Sequence, residues 1–237
     1  MIRQSNLTVA LSGAGISTAA GIPDFRGPGG IYESGRYDAE RVFDIQAFRA
    51  DPREFFRFTR DLADAVKNLE PTFTHRLLAR MEARGLLEAV ITQNIDPLHH
   101  LAGSKNIIAL HGDYAVSHCQ SCGRRYDFGQ LLALLDEMEV PRCDCAAGGV
   151  IKPDVVFFGE NVKGMDVAGE LASACDLMLV LGSSLVVYPA ALLPQMARAD
   201  VVVVNLAEPA LPAASNRYFV RQDLDEFFGA VAEQLDI

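Results

Sequence analysis

The chain has 237 residues, half of them hydrophobic, and a formal net charge of -10 at pH 7. This length predicts one large core, or one core with a small second domain. The acidic balance argues against direct nucleic-acid binding, which would need a basic face. No apolar run reaches the roughly 18 residues of a membrane span, and the N-terminus lacks a signal-peptide pattern. We therefore expect a cytoplasmic protein without membrane partners.

Four short apolar runs are typical of strands that are buried on both faces of a parallel sheet. They cover residues 7–11, 89–92, 177–181 and 201–204. The small or polar residues that follow them are Ser12-Gly13-Ala14-Gly15, Gln93-Asn94-Ile95-Asp96, Gly182-Ser183-Ser184 and Asn205-Leu206-Ala207-Glu208. Because ligands of open parallel sheets bind outside the carboxyl ends of the strands, we expect these four clusters to share one edge.

Helical patterns and two longer insertions separate these runs. Residues 75–87 and 224–235 place apolar side chains at helical spacing, so the chain predicts an α/β fold with a Rossmann-like, doubly wound parallel sheet. We assign to this domain residues 1–27, 71–112 and 153–237. The aromatic-rich segment 28–70 predicts a helical insertion, which we expect to pack with residues 113–152 as a smaller domain.

A glycine-rich turn follows the first strand. Gly13, Ala14 and Gly15 come directly after it, and Gly21 follows six residues later. Glycines let a backbone approach a phosphate closely, so the turn predicts nucleotide binding. A tight connection between a strand and a helix is the alternative.

An acid, an aromatic ring and a base follow on the next loop, as Asp24, Phe25 and Arg26. Phe25 could cover a bound ligand, and Arg26 could meet a phosphate. The alternative is a solvated loop with one buried ring.

Polar side chains stand at the ends of two further strands. Gln93, Asn94 and Asp96 offer amides and a carboxylate to ribose hydroxyls or to a ligand amide. Asp96, which precedes a proline, is also a good helix cap. His111 follows the apolar stretch 107–110 and is a candidate general base at the ligand edge, with a purely structural role as the alternative.

Four cysteines predict a metal site. Cys119, Cys122, Cys143 and Cys145 form a CxxC and a CxC that are separated by twenty residues. Two such pairs supply the four tetrahedral ligands of zinc, and with all four positions filled the ion would be structural. Cys175, which stands alone near the start of a strand, is interpreted as a core residue.

Together these motifs resemble the sirtuin family, in the family order and over nearly the whole chain. The matching segments are Gly13 to Ser17, Gly21 to Gly27, Thr92 to Asp96, Leu110 to Gly112, the four cysteines, Pro153 to Glu160 and Gly182 to Pro189. The resemblance implies an NAD-dependent protein-lysine deacetylase with one structural Zn²⁺. Its partners would be acetylated proteins, and we expect the enzyme to be a monomer.

The resemblance also implies the reaction. In this family the acetyl oxygen attacks C1′ of the nicotinamide ribose and nicotinamide leaves. A general base at the position of His111 then acts on the ribose hydroxyls, so that the acetyl group moves to the 2′-oxygen. The products are deacetylated lysine, nicotinamide and 2′-O-acetyl-ADP-ribose, and NAD is consumed as a cosubstrate.

By position, the resemblance assigns roles to individual residues. The catalytic residues would be His111, Asn94, Asp96 and Phe25. The NAD contacts would be Gly13, Ala14, Gly15, Asp24, Phe25, Arg26, Gln93, Asn94, Ile95, Asp96, Gly182, Ser183, Ser184, Asn205, Glu208, Asp223 and Leu224. The acyl-peptide, bound as an added strand, would contact Val156, Phe158, Gly159, Glu160, Leu185, Val186 and Val187.

The helical insertion bears on the choice of acyl group. Family members that prefer succinyl or malonyl groups carry a Tyr and an Arg three residues apart, where this chain has Phe56 and Thr59. The resemblance therefore predicts a neutral acyl group. The alternatives that remain are a longer-chain deacylase, a mono-ADP-ribosyltransferase and a zinc-stabilised NAD sensor without turnover.

Overall fold

The computed structural model describes residues 1–22, 37–66 and 69–237. The strands in these ranges are β1 (Thr8–Ser12), β2 (Ala89–Thr92), β3 (Ile107–Ala109), β4 (Val116–Cys119), β5 (Arg125–Asp127), β6 (Ile151–Pro153), β7 (Leu177–Leu181), β8 (Asp200–Val204) and β9 (Arg217–Val220). The α-helices are α1 (Ala39–Val42), α2 (Ile45–Ala50), α3 (Arg53–Val66), α4 (Phe73–Ala83), α5 (Leu98–Ala102), α6 (Phe128–Glu137), α7 (Met165–Ala174), α8 (Leu193–Met196) and α9 (Leu224–Leu235). None of the described helices is long and apolar enough to cross a membrane.

Six of the strands form one parallel sheet, in the order β3-β2-β1-β7-β8-β9. Leu11 pairs with Ile91 on one side and with Val180 on the other, so the strands end at a common edge. The chain moves outward from β1 in one direction and from β7 in the other. The junction of β1 and β7 is therefore the topological switch point, where open α/β sheets bind their ligands.

The strands of this sheet are buried on both faces. Val9 and Leu11 belong to a core beneath α7 and α8, whereas Ala10, between them, faces a second core beneath α4 and α9. Successive strand side chains point to opposite faces, so one continuous apolar run fills both cores. The predicted doubly wound α/β fold is confirmed.

The predicted helix boundaries differ from the structure at one helix. α4 begins two residues before the predicted segment 75–87 because Thr72 caps it, accepting a hydrogen bond from the backbone N–H of His75. It ends at Ala83, and Gly85 then adopts a positive φ of 69°. A glycine in this conformation is a common helix stop.

The edge strand β9 was not predicted. Tyr218 and Phe219 at its centre are exposed, and the flanking Arg217 and Val220 are only partly buried. A strand that covers one edge of a sheet need not carry the continuous apolar run of a central strand, so its sequence gives no clear signal.

The smaller sheet and the helical insertion share a third core. β5, β4 and β6 form an antiparallel sheet in that order. Aromatic rings of the insertion pack against the sheet residue Ile151 and against Phe157, whose ring centroid lies 4.9 Å from that of Phe55. This core supports the packing of the two insertions as one unit, and the assigned domain boundaries stay a prediction.

Candidate active site

A cavity of about 860 Å³ opens at the carboxyl edge of the parallel sheet. Its walls include Gly13 after β1, Gln93 after β2, Gly182 after β7 and Asn205 after β8. The four polar clusters that were predicted to share one edge therefore do so.

Most of the predicted site residues line this cavity. They are Gly13, Ala14, Gly15, Gln93, Asn94, Ile95, His111, Val156, Phe158, Gly159, Glu160, Gly182, Ser183, Ser184, Val187, Asn205, Asp223 and Leu224. Asp96 lines a second cavity of about 230 Å³, which shares Ala14, Asn94 and Ile95 with the first.

Three predicted residues of the described ranges, Glu208, Val186 and Leu185, line neither cavity. Leu185 is 1% exposed and packs into the sheet core, so only its main chain could meet a peptide. Asp24, Phe25 and Arg26 lie outside the described residues.

The two glycine-containing turns meet backbone to backbone at the switch point. Gly15 donates a hydrogen bond from its N–H to the Gly182 carbonyl oxygen over 2.9 Å. A Cβ at position 13 would lie 2.8 Å from the same oxygen, and a Cβ at position 15 would lie 2.7 Å from the Gly182 Cα. Glycine is therefore required at both positions for the turns to approach this closely.

His111 is held at the junction of two segments. Its Nδ1 lies 2.8 Å from the Gln93 carbonyl oxygen, and its own carbonyl accepts a hydrogen bond from Val156 N–H over 2.8 Å. Gly112 follows with φ 66°, and a Cβ there would lie 1.9 Å from the Asp154 carbonyl oxygen. Burial lowers the pKa of His111, so the imidazole is neutral near pH 7.

Ser17 connects the side chains of Asn94 and Asp96, which follow β2. It accepts a hydrogen bond from Asn94 Nδ2 over 3.1 Å and donates one to Asp96 Oδ2 over 2.8 Å. The other oxygen of Asp96 accepts a hydrogen bond from Leu98 N–H over 3.0 Å, at the start of α5. Burial raises the pKa of Asp96, and these hydrogen bonds oppose the rise.

Ser17 was not predicted as a site residue, although it lies in the first glycine motif. Its contact with Asp96 joins residues 79 positions apart, which no local pattern reveals. Gln93 makes a similar long-range contact, since its Nε2 donates to Ser183 Oγ over 2.9 Å across the switch point.

The four clustered cysteines bring their Sγ atoms within 4.8 Å of one another. Cys119 and Cys145 are 3.8 Å apart at Sγ, and Cys122 and Cys143 are 3.7 Å apart. Tetrahedral zinc with Zn–S bonds of about 2.3 Å requires sulfur atoms about 3.8 Å apart. Backbone N–H groups of Cys122 and Ser121 point at Cys119 Sγ and lower the pKa of that thiol. The donor set fits a structural Zn²⁺.

Comparison with known proteins agrees with this geometry. The Sir2 family model matches residues 13–189. The chain belongs to the Sir2 family. An NAD-dependent protein deacetylase of Thermotoga maritima is 45% identical, over 99% of this chain and 95% of the relative. An NAD-dependent protein deacylase 2 of Archaeoglobus fulgidus is 40% identical, over 89% and 84%.

Solved Sir2 structures share the whole fold with this Sir2-family chain. A Sir2 bound to acetylated peptide superimposes with a TM-score of 0.88 at 42% identity, covering 100% of this chain and 96% of that one. A Sir2 complex with a peptide and NAD⁺ superimposes with a TM-score of 0.89 at 43% identity, covering 99% of this chain and 95% of that one. A Sir2 bound to a propionylated peptide superimposes with a TM-score of 0.87 at 41% identity, covering 100% of this chain and 96% of that one.

Proposed function

We propose that this chain is an NAD-dependent protein-lysine deacetylase that yields nicotinamide, 2′-O-acetyl-ADP-ribose and deacetylated lysine. The observation that carries the proposal is the placement of a neutral His111 in one cavity with Asn94 and the paired turns at Gly13 and Gly182. The chain is also similar over nearly its full length to NAD-dependent protein deacetylases.

The turns at the switch point would hold the pyrophosphate of NAD. The backbone of residues 13–15 and the residues Gly182, Ser183 and Ser184 form that part of the cavity wall. Asn205, Asp223 and Leu224 line the same cavity on the side of β8 and α9, and the adenosine would lie there, with Glu208 close by in sequence.

The nicotinamide would lie near the junction of the two cavities, beside residues that line both of them. Asn94 and Ile95 line both cavities, and Asp96 lines the smaller one. An Asp96 carboxyl group and the Ile95 backbone are suitable partners for a carboxamide. By resemblance to the family, Phe25 would shield the reaction centre, and Asp24 and Arg26 would complete the NAD contacts.

His111 would act as the general base on the ribose hydroxyls. A carbonyl oxygen can only accept a hydrogen bond, so the contact with Gln93 requires a proton on Nδ1. In the neutral imidazole Nε2 then carries a lone pair, and this is the atom that can take a proton from a ribose hydroxyl.

The acetylated peptide would bind as an extended strand between two loops. Val156, Phe158 and Gly159 line the cavity from one side, and Val187 lines it from the other. Phe158 and Val186 are 47% and 40% exposed, which suits surfaces that a peptide covers. We expect a cytoplasmic monomer without direct nucleic-acid contacts.

A structural Zn²⁺ held by the four cysteines would stabilise the smaller sheet and take no part in the chemistry. Cys119 and Cys143 are buried in the aromatic core that the helical insertion also forms. The four cysteines would hold the ion between the end of β4, with the turn after it, and the loop before β6, and the ion would cross-link these segments.

The deciding experiment is a mass-spectrometric assay with an acetyl-lysine peptide, with and without NAD. The proposal requires 2′-O-acetyl-ADP-ribose and deacetylated peptide only when both substrates are present. NAD consumption with an intact acetyl group and ADP-ribosylated protein would instead identify a mono-ADP-ribosyltransferase. NAD binding without any nicotinamide release in the presence of acylated peptides would identify a sensor.

A further inference from the structure

Lys152 places a buried ammonium group directly beneath the loop that would bind the peptide. The residue is 6% exposed and lies in β6. Its Nζ donates to the Val155 carbonyl oxygen over 2.7 Å and lies 3.0 Å from Glu160 Oε2. It also lies 4.1 Å from the centroid of the Phe157 ring, within range of a cation–π contact.

One carboxylate oxygen closes this loop on itself. Glu160 Oε2 accepts a hydrogen bond from Phe157 N–H over 2.9 Å as well as contacting Lys152. Glu160 N–H in turn donates to the Phe157 carbonyl oxygen over 2.9 Å. Hydrogen bonds between Phe157 and Glu160 therefore close the segment 155–160. The side chain of Lys152, which lies outside the segment, contacts it at both ends.

The same segment carries the surfaces of the proposed peptide site. Val156 N–H donates to the His111 carbonyl oxygen over 2.8 Å, and Phe158 N–H donates to the Phe43 carbonyl oxygen over 2.7 Å. Ile45 N–H donates back to the Phe158 carbonyl oxygen over 3.2 Å. A displacement of this segment would move Val156 and Phe158, which line the cavity, relative to His111.

The position of Lys152 also connects the segment to the cysteine cluster. Ile151, the residue before it, pairs with Cys119 in the smaller sheet, and Lys152 pairs with His118. Lys152 therefore links the sheet that carries the cysteine cluster to the segment 155–160.

Stability by itself is a weak reason for such an arrangement. Replacing a buried ion pair with well-packed apolar residues is often neutral or stabilising, because desolvation of the charges offsets their attraction. Lys152 is the buried member of this pair, since the Glu160 side chain is 32% exposed. A buried charge can instead select one backbone conformation, and here the backbone concerned is that of residues 155–160.

We propose that Lys152 is a positioning residue for the acyl-peptide: through Val155 and Glu160 its ammonium holds segment 155–160, which turns back between Phe157 and Glu160, in the conformation that presents Val156 and Phe158 to the peptide. This inference rests on the proposed function, since it assumes that the loop binds an acylated peptide. The contacts of Lys152 and Glu160 lie within residues 152–160, so their loss should change peptide affinity and leave the proposed NAD-binding turns unchanged.

The test measures binding of a fluorescein-labelled acetyl-lysine peptide by anisotropy, without NAD. We expect Lys152→Met to raise the peptide Kd about tenfold, whereas Lys152→Arg, which keeps a charged donor, restores most of the affinity. Lys163→Met is the matched control. Lys163 donates to the carbonyl oxygen of Asp154, just before this segment, over 3.1 Å, but its side chain is 41% exposed. Its loss should change the peptide Kd less than about twofold.

Steady-state kinetics separate positioning from general damage. For Lys152→Met we expect a raised KM for peptide and an unchanged KM for NAD at saturating peptide. A variant that binds peptide as the wild type does, or that loses peptide and NAD affinity equally, would overturn the inference. If thermal unfolding shows that Lys152→Met does not fold, Glu160→Gln replaces it, because the amide oxygen can still accept from Phe157 N–H while the charge is lost. Wild-type protein that binds the peptide but makes no 2′-O-acetyl-ADP-ribose would overturn the proposed function alone.

Discussion

The carbonyl oxygen of Gln93 accepts a hydrogen bond from His111 Nδ1 over 2.8 Å. This contact selects the imidazole tautomer in which Nε2 is free of a proton. Burial of the ring lowers the pKa of His111 and keeps that tautomer neutral near pH 7. The position and the tautomer of the proposed base therefore follow from its contact with the end of β2. Its charge state follows from the burial of the ring.

Replacement of His111 by alanine should separate the two halves of the reaction. We expect His111→Ala to lose deacetylation by about 100-fold or more, the range typical of a lost general base. Exchange of labelled nicotinamide into NAD should persist, because that step needs only the NAD and acetyl-lysine contacts. Equal loss of exchange and deacetylation would argue against the general-base role.

Removal of one zinc ligand should unfold the smaller sheet. We expect the purified protein to contain one Zn²⁺ per chain by elemental analysis, and Cys143→Ala to lose the metal. Because Cys143 also lies in the aromatic core, the melting temperature should fall by about 10 °C or more. Cys175→Ala is the control, since that cysteine is buried in the sheet core, and this variant should retain its zinc. A Cys143→Ala protein that keeps a full equivalent of zinc would contradict the assigned ligand set.

Two buried histidines should make the fold sensitive to acid. His75 and His99 lie with their ring centroids 4.6 Å apart, and burial lowers the pKa of His75 to about 4 and of His99 to about 3. An unfolded histidine has a pKa of about 6.5. Their contribution to stability is therefore fully present above about pH 6.5 and is lost as the pH falls towards the folded values, by up to about 1.4 kcal/mol per pH unit for each.

Urea unfolding at pH 7 and at pH 5 measures this loss of unfolding free energy. Both values lie above the pH range in which most carboxylates titrate. The comparison variant is His99→Gln. Ser12 Oγ lies 2.9 Å from His99 Nε2, and a glutamine amide can still reach it. We expect this variant to lose less free energy of unfolding between the two pH values than the wild type does. An unchanged difference would mean that His99 does not remain neutral in the fold.

The proposed acyl site should reject acidic acyl groups. Phe56 and Thr59 are buried, and the described residues that line the two cavities include no lysine or arginine. A succinyl carboxylate would enter without a charged partner, which is costly in an apolar cavity. We expect kcat/KM for an acetyl-peptide to exceed that for a succinyl-peptide by about 100-fold, or about 2.7 kcal/mol. A propionyl-peptide serves as the neutral control, and faster succinyl than acetyl turnover would contradict the prediction.

Several features of this protein follow from the sequence by itself. The central strands β1, β2, β7 and β8 were predicted because strands buried on both faces need continuous apolar runs, which are visible locally. The shared edge followed from parallel strand direction, and the cysteine spacing indicated zinc because four ligands in two close pairs are a local pattern.

Other features depend on the tertiary structure. Three examples are the contact of Ser17 with Asp96, the tautomer of His111 and the burial of Lys152 beneath residues 155–160. Each depends on contacts between segments that the spacing of residues in the sequence does not reveal. The edge strand β9 is a strand because β8 offers it backbone partners, not because of its own pattern. Hydrogen bonds and desolvation act over a few ångströms, so which polar groups meet, and with what pKa, is decided only when the packed elements bring them together.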